Sequence, residues 1–127
     1  MNLEKVVFGF FIVMAASLNF GFVIGDIDKA HLHHTGELAA AIVVNLIATI
    51  LKFGDRTQVG AIHLSTSLVA DVQLIVAAGV WAYAVHVTGE GMTPSITSSV
   101  VSLSGGALLA NIVSLAILIA ETVMMRR

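Results

Sequence analysis

Charged residues cut this chain into four apolar runs, each about as long as a lipid bilayer is thick. A hydrocarbon core of ~30 Å needs about 20 apolar residues of α-helix at 1.5 Å rise per residue. The runs are 6–25, bounded by Glu4-Lys5 and Asp26; 37–53, entered through Thr35-Gly36-Glu37 and closed by Phe53-Gly54; 59–87, with Asp71 in its middle; and 95–124, opening after Pro94. Thr35 suits a helix N-cap, Gly54 a C-terminal stop, and Pro94 a first turn where a missing N–H costs nothing. The expected fold class is all-α: a four-transmembrane-helix membrane protein with a single membrane domain over residues 1–127. Composition agrees, since 57% of residues are hydrophobic and 11% charged, whereas a soluble domain is roughly a quarter charged. The absence of cysteine removes disulfides, thiolate metal sites and thiol nucleophiles, and a net charge of −2 offers no footprint for nucleic acid. No cofactor is expected.

Lys and Arg accumulate on the cytoplasmic side of membrane proteins. Lys5, Lys52, Arg56, Arg126 and Arg127 fall at the N-terminus, the second loop or the C-terminus, against Lys29 alone in the first loop and none in the third. Both termini are therefore expected in the cytoplasm of a bacterial inner (plasma) membrane. Trp81 and Tyr83, near the outer end of the third run, suit the headgroup layer and agree with that orientation. Residues 1–25 also have the charge and apolarity of a secretory signal, but no small-x-small cleavage site leads into a soluble domain.

The second and fourth runs share a pattern: Ala41-Ile-Val-Val-Asn45 and Ala107-Leu-Leu-Ala-Asn111. Phe11-Ile-Val-Met-Ala-Ala16 and Leu74-Ile-Val-Ala-Ala-Gly79 match in the first and third, so two parallel helix-pair repeats are conceivable, although apolar helices resemble one another by composition alone.

Because lipid is as apolar as leucine, helices in it associate through close backbone approach and interhelical hydrogen bonds. Small residues recur every fourth position in the fourth run, at Ser98, Ser102, Gly106, Ala110 and Ser114, and in the first, at Ser17, Gly21 and Gly25. One such face is expected to join helices within the protomer. The other is expected to join protomers into a homo-oligomer.

An ionisable side chain at mid-bilayer costs ~3 kcal/mol on insertion scales and normally faces protein or a wet cavity. Asp71 is that residue here, and His63, Ser67 and Asp71, spaced i, i+4, i+8, share one helical face. The stripe begins near Lys52 and Arg56 and stops at mid-depth, like a half-channel. Asn45 and Asn111 lie near the same depth, while Gln73, about 200° around the helix from Asp71, serves another interface. Asn19 stands nearer the outer leaflet. The amides are most simply interhelical glue; for Asp71 the alternatives are an ion or proton site and a protonated structural hydrogen-bond donor.

The first loop, residues 26–37, offers His31, His33 and His34 with Asp26, Asp28 and Glu37, a set suited to zinc, copper or nickel, though loop histidines at a membrane surface are also ordinary interface residues. The second loop, Gly54-Asp55-Arg56-Thr57-Gln58, is too short for catalytic apparatus, and Asp55-Arg56 reads as a local ion pair. Glu121 is expected to pair with Lys5 or Lys52, and Arg126-Arg127 to meet anionic lipid.

With Leu18-Asn-Phe-Gly-Phe22 and Lys52-Phe-Gly-Asp-Arg56 as its strings, the chain resembles an uncharacterised family of short four-span inner-membrane proteins of proteobacteria. That resemblance covers most of the chain and implies no activity. Size and span number are also similar to small multidrug-resistance transporters and small fluoride channels. The first family keeps an essential glutamate in its first helix, where no acid stands here, and the second a Thr-Phe-Ser-Thr-Phe signature of which Leu64-Ser-Thr-Ser-Leu68 is a faint echo. The leading expectation is a small oligomeric protein lining a cation or proton pathway centred on Asp71, with Ser67, His63, Gln73, Asn45 and Asn111. The rival is a non-transporting accessory subunit docked in a larger membrane complex. An enzyme is not expected, because Ser, His and Asp along one helical face are too far apart end to end for a relayed triad.

Overall fold

The computed structural model describes residues 3–24, 35–87, 89 and 93–125, and these form helices without strands. Four α-helices follow one another: α1 (Leu3–Val23), α2 (Thr35–Phe53), α3 (Gln58–Ala82) and α4 (Pro94–Met125). A π-helical turn, Tyr83–Val87, continues α3. All four spans are long and apolar enough to cross a membrane, which makes this a multi-pass membrane protein. Helix α1 starts three residues earlier than the charges suggest, since Glu4 is well placed in a first turn. Thr35 is the first residue of α2 rather than the residue before it.

Local chemistry sets the remaining boundaries. Thr57 caps α3 in an extended conformation, its hydroxyl accepting from Gly60 N at 3.0 Å. Thr93 does the same for α4, accepting from Ile96 N at 3.2 Å immediately before Pro94. Helix α2 stops at Phe53, and residues 54–57 turn the chain tightly into α3.

Each helix packs on its sequence neighbours, and α4 closes back on α1. The α3–α4 seam is the most extensive. Buried positions alternate in steps of three and four on every helix: Phe8, Ile12, Ala15, Asn19 and Phe22 on α1; Leu38, Ala41, Asn45 and Ala48 on α2; Gly60, His63, Ser67, Ala70, Leu74 and Ala77 on α3; Thr97, Val100, Ser104, Ala107, Asn111 and Ser114 on α4. That 3.5-residue period is the signature of a gently tilted, left-handed bundle. Polarity is inverted relative to a soluble bundle. Phe10, Phe20, Val72, Leu109 and Ile119 point outward, while Asn, Ser, Thr, His and Asp side chains occupy the interior.

The every-fourth-residue stripe on α4 winds around the helix instead of holding one face. Ser102 is exposed, Ser98, Gly106 and Ala110 are half-buried, and Ser114 is fully buried. Gly106 receives the Gln73 side chain of α3: a Cβ there would lie 2.6 Å from Gln73 Nε2. On α1, Ser17 is exposed, Gly21 takes the Glu37 carboxylate of α2 against its backbone, and Gly25 lies outside the described residues. The repeat between α2 and α4 keeps its burial register, Ala41 with Ala107 and Asn45 with Asn111. In α1 and α3 it does not, since the aligned strings set buried Ile12 against exposed Ile75.

The Gly106–Gln73 contact sets how closely the largest seam can close. Gly106→Leu should destabilise the bundle by about 1–3 kcal/mol through overpacking, and Gln73→Ala should recover part of that loss; denaturant titration in detergent reads both.

Candidate functional site

Helices α2 and α3 cross where Asn45 meets the backbone of Ser67, its Nδ2 donating to Ser67 O at 3.1 Å. The same Nδ2 donates to Asp71 Oδ1 at 2.5 Å, and the hydroxyl of Thr49, one turn along α2, lies 2.5 Å from Asp71 Oδ2 and 3.0 Å from Asn45 O. Asp71 is 5% exposed and meets these groups within a single protomer. The one proton of the Thr49 hydroxyl can serve only one of its two oxygen neighbours at a time. A carboxylate at Asp71 takes that proton. A carboxylic acid instead donates to Thr49 Oγ1, which turns its own proton to Asn45 O. One set of heavy-atom positions therefore accommodates both protonation states of Asp71.

Around this contact, four buried polar atoms have no protein partner: Asn45 Oδ1, Ser67 Oγ, and both Oδ1 and Nδ2 of Asn111. They share a level. Asn45 touches Ser67, and Asn111 stands three residues from Ser114 as Ser67 stands four from His63, across the antiparallel contact of His63 Nδ1 with Ser114 Oγ at 2.6 Å. Buried polar groups of this kind are normally met by ordered water or an ion. His63 Nε2 is likewise unpartnered.

Below His63 stands Phe8 of α1, its ring edge-on to the imidazole at 4.9 Å between centroids. The Lys52 ammonium lies 4.3 Å from the Phe8 centroid, a cation–π contact. Phe8 also lines a cleft of about 730 Å³ at this charged end, together with Lys5, Leu51, Lys52, Asp55, Thr57 and Glu121. Lys5 pairs with Glu121 at 2.8 Å, one of the two partners expected for that glutamate. Asp55 pairs with Lys52 at 3.4 Å and accepts from the Thr57 hydroxyl at 2.7 Å and the Thr57 N–H at 3.0 Å, in place of the expected pairing with Arg56.

Beyond Asp71, toward the other end, the interior is mainly apolar, with the unpartnered Ser104 and Thr97 hydroxyls buried in it. Phe22, Leu38, Ala41, Ala70, Leu74, Ala77, Val100, Val101 and Ala107 form one buried cluster, with Trp81 packed on Phe22 at 5.9 Å between rings. Asn19 stands beside this cluster; with its amide turned to satisfy both groups, it donates to Ser104 O and accepts from Leu108 N, each at 3.1 Å, so it pins α1 to the backbone of α4. Gln73 lies on the α3–α4 seam away from Asp71, its Oε1 unpartnered.

The residues singled out from sequence thus fall into two groups. Asp71, Ser67, His63, Asn45 and Asn111 line one interior strip, whereas Gln73 and Asn19 belong to seams. His31, His33 and His34 lie outside the described residues, and no three metal-ligating side chains gather among the described ones. Thr49, Phe8 and the histidine contact of Ser114 were not anticipated as parts of the site. Thr49 had a signal, since it stands four residues from Asn45 on the same face. Phe8 had none, because an aromatic residue near a helix end reads equally well as a lipid contact.

A sequence profile described as a family of unknown function (DUF6394) matches residues 32–122. No curated protein and no solved structure matches the chain.

Two outcomes follow from the bonding. Asp71→Leu strands one N–H of the Asn45 amide, while the Thr49 hydroxyl falls back on Asn45 O, and should cost about 1–3 kcal/mol; Asp71→Asn keeps an acceptor and should cost less, as read by unfolding in detergent. Outside the spans, the hydroxyl and N–H of Thr57 hold the Asp55 carboxyl below its ordinary value of 3.8, with Lys52 a lesser influence. A carboxylate lowered in the fold contributes stability fully above its ordinary pKa and loses it as pH falls through the lowered one. Asp55→Asn should therefore flatten the acid limb of a stability-against-pH profile, at a neutral-pH cost below about 1 kcal/mol.

Proposed function

The chain belongs to the DUF6394 family, whose function is unknown, so its own residues must carry the reading, and we propose that the protein takes up a proton or small cation from one face of the membrane and holds it at Asp71. The charged end is the cytoplasmic one on this reading, because Lys5, Lys52 and Arg56 lie there and Arg126-Arg127 follow α4 in the sequence. The bacterial inner membrane is the corresponding location.

The bonding of Asp71, at the deep end of the more polar half, carries this reading. Between the cleft and Asp71, His63, Ser114, Ser67, Asn111, Thr49 and Asn45 supply hydrogen-bonding groups, and beyond Asp71 the buried polar atoms thin out to Asn19, the Gln73 amide and the Ser104 and Thr97 hydroxyls around the apolar cluster of Leu74. A passive pore needs polar or wet lining through both halves. A bundle more polar in one half than in the other instead has the form of an alternating-access intermediate or a one-sided binding site. Asp71 suits that role because its two partners serve it equally as acid and as carboxylate. An accessory subunit would need only surface seams for docking, and an interior layer of unpartnered polar atoms gives such a subunit no advantage.

Flux through this protein is expected to be slow and carrier-like. In proteoliposomes with an imposed pH gradient, we expect proton movement above that of empty vesicles, reduced about tenfold or more by Asp71→Asn while the variant keeps its helicity and unfolding midpoint. Wild-type vesicles that are as tight as empty ones, or Asp71→Asn vesicles that leak like wild type, overturn the proposal.

A further inference from the structure

The interior strip and the cleft approach each other closely, and one side chain stands between them. Phe8 lines the cleft, yet is only 1% exposed. One side of its ring meets the Lys52 ammonium at 4.3 Å, and its other neighbour is the His63 imidazole at 4.9 Å between centroids. Behind His63 come the unpartnered Ser67 Oγ, Asn45 Oδ1 and Asn111 amide. The small cluster around Phe8 includes Ile12 and Ala48, fully buried, with Phe11, Leu115 and Leu118 packed against them.

We propose that Phe8 is the specificity-determining barrier of the pathway and that the species reaching Asp71 is the proton, with larger hydrated monovalent cations excluded at the ring. This inference deepens the uptake reading by naming the ion, and it rests on that reading.

The physical case is one of size and desolvation. An apolar constriction gates by dewetting: a hydrated cation passes only if it sheds water that the ring cannot replace, or if the ring moves aside. A proton needs less. His63 can take it on one nitrogen and release it from the other, since Nδ1 is held by Ser114 Oγ and Nε2 has no protein partner. The proton then has hydroxyl and amide groups, and the waters that such groups hold, on the way to Asp71 Oδ2. Lys52 holds the ring from the cleft side through its ammonium.

The protein has no cysteine, so a single introduced thiol reports on access without background. The probe is Ag+, a thiol-reactive monovalent cation of the size class to be excluded, applied to the full chain with Ser67→Cys in detergent. Reaction is followed as loss of thiol available to a fluorescent reagent after denaturation. With Phe8 in place, Ser67→Cys should react slowly. Phe8→Ala should raise the rate about tenfold or more, and Phe8→Leu, which preserves most of the helix packing, should raise it by less. A thiol at Leu74→Cys, inside the apolar plug, is the control and should stay slow in every background. Reaction at the Phe8 rate in both Phe8 variants overturns the proposal. So does equal acceleration at Leu74→Cys, which would mean general loosening of the bundle. Silver measures passage beyond Phe8 whether or not Asp71 carries protons, so failure here is distinguishable from failure of the flux experiment.

Discussion

Lipid offers no hydrogen-bond partner, and that single constraint arranges the whole molecule. Every polar side chain within the spans has to find its partner inside the bundle or hold water there. The helices accordingly turn Phe, Leu, Ile and Val outward and bring Asn, Ser, Thr, His and Asp together. The Asn45 amide shows the economy of the solution. One nitrogen joins α2 to the Ser67 carbonyl and to the Asp71 carboxyl, so the contact that fixes two helices also defines the environment of the ionisable group.

Interior polarity is unevenly divided along the membrane normal. Toward the charged end, the bundle carries His63, Ser67, Asn111 and Asp71; toward the other, Phe22, Leu74, Val100 and their neighbours predominate around the Ser104 and Thr97 hydroxyls. The apolar half and the Gly106–Gln73 seam hold the helices in register, and the polar half accepts unpartnered atoms whose cost is tolerable only if something small occupies the layer.

Much of the fold was legible because bilayer thickness turns composition into geometry. The charges around 25, 54 and 90 bracketed the spans within a few residues, and Asp71 announced itself as the lone acid in the middle of a span. The packing faces were harder to read. A stripe repeating every fourth residue winds around the cylinder, whereas helices in a tilted bundle meet every 3.5 residues, so Ser102 turns outward while Ser114 turns inward. Thr49 was recoverable from its four-residue spacing to Asn45. Phe8 was not, since its role comes from tertiary neighbours on α2 and α3 that no local pattern on α1 encodes.

The central claim is that the charged half of the interior is hydrated around Asn45, Ser67 and Asn111 while the apolar cluster beyond Asp71 is dry. A high-resolution experimental structure that resolves solvent tests it most directly. We predict ordered water within hydrogen-bond distance of Asn45 Oδ1, Ser67 Oγ and the Asn111 amide, and none among Phe22, Leu74 and Val100. Those three side chains turned to bond one another in a solvent-free layer would contradict it, leaving Asp71 a structural residue of a closed bundle.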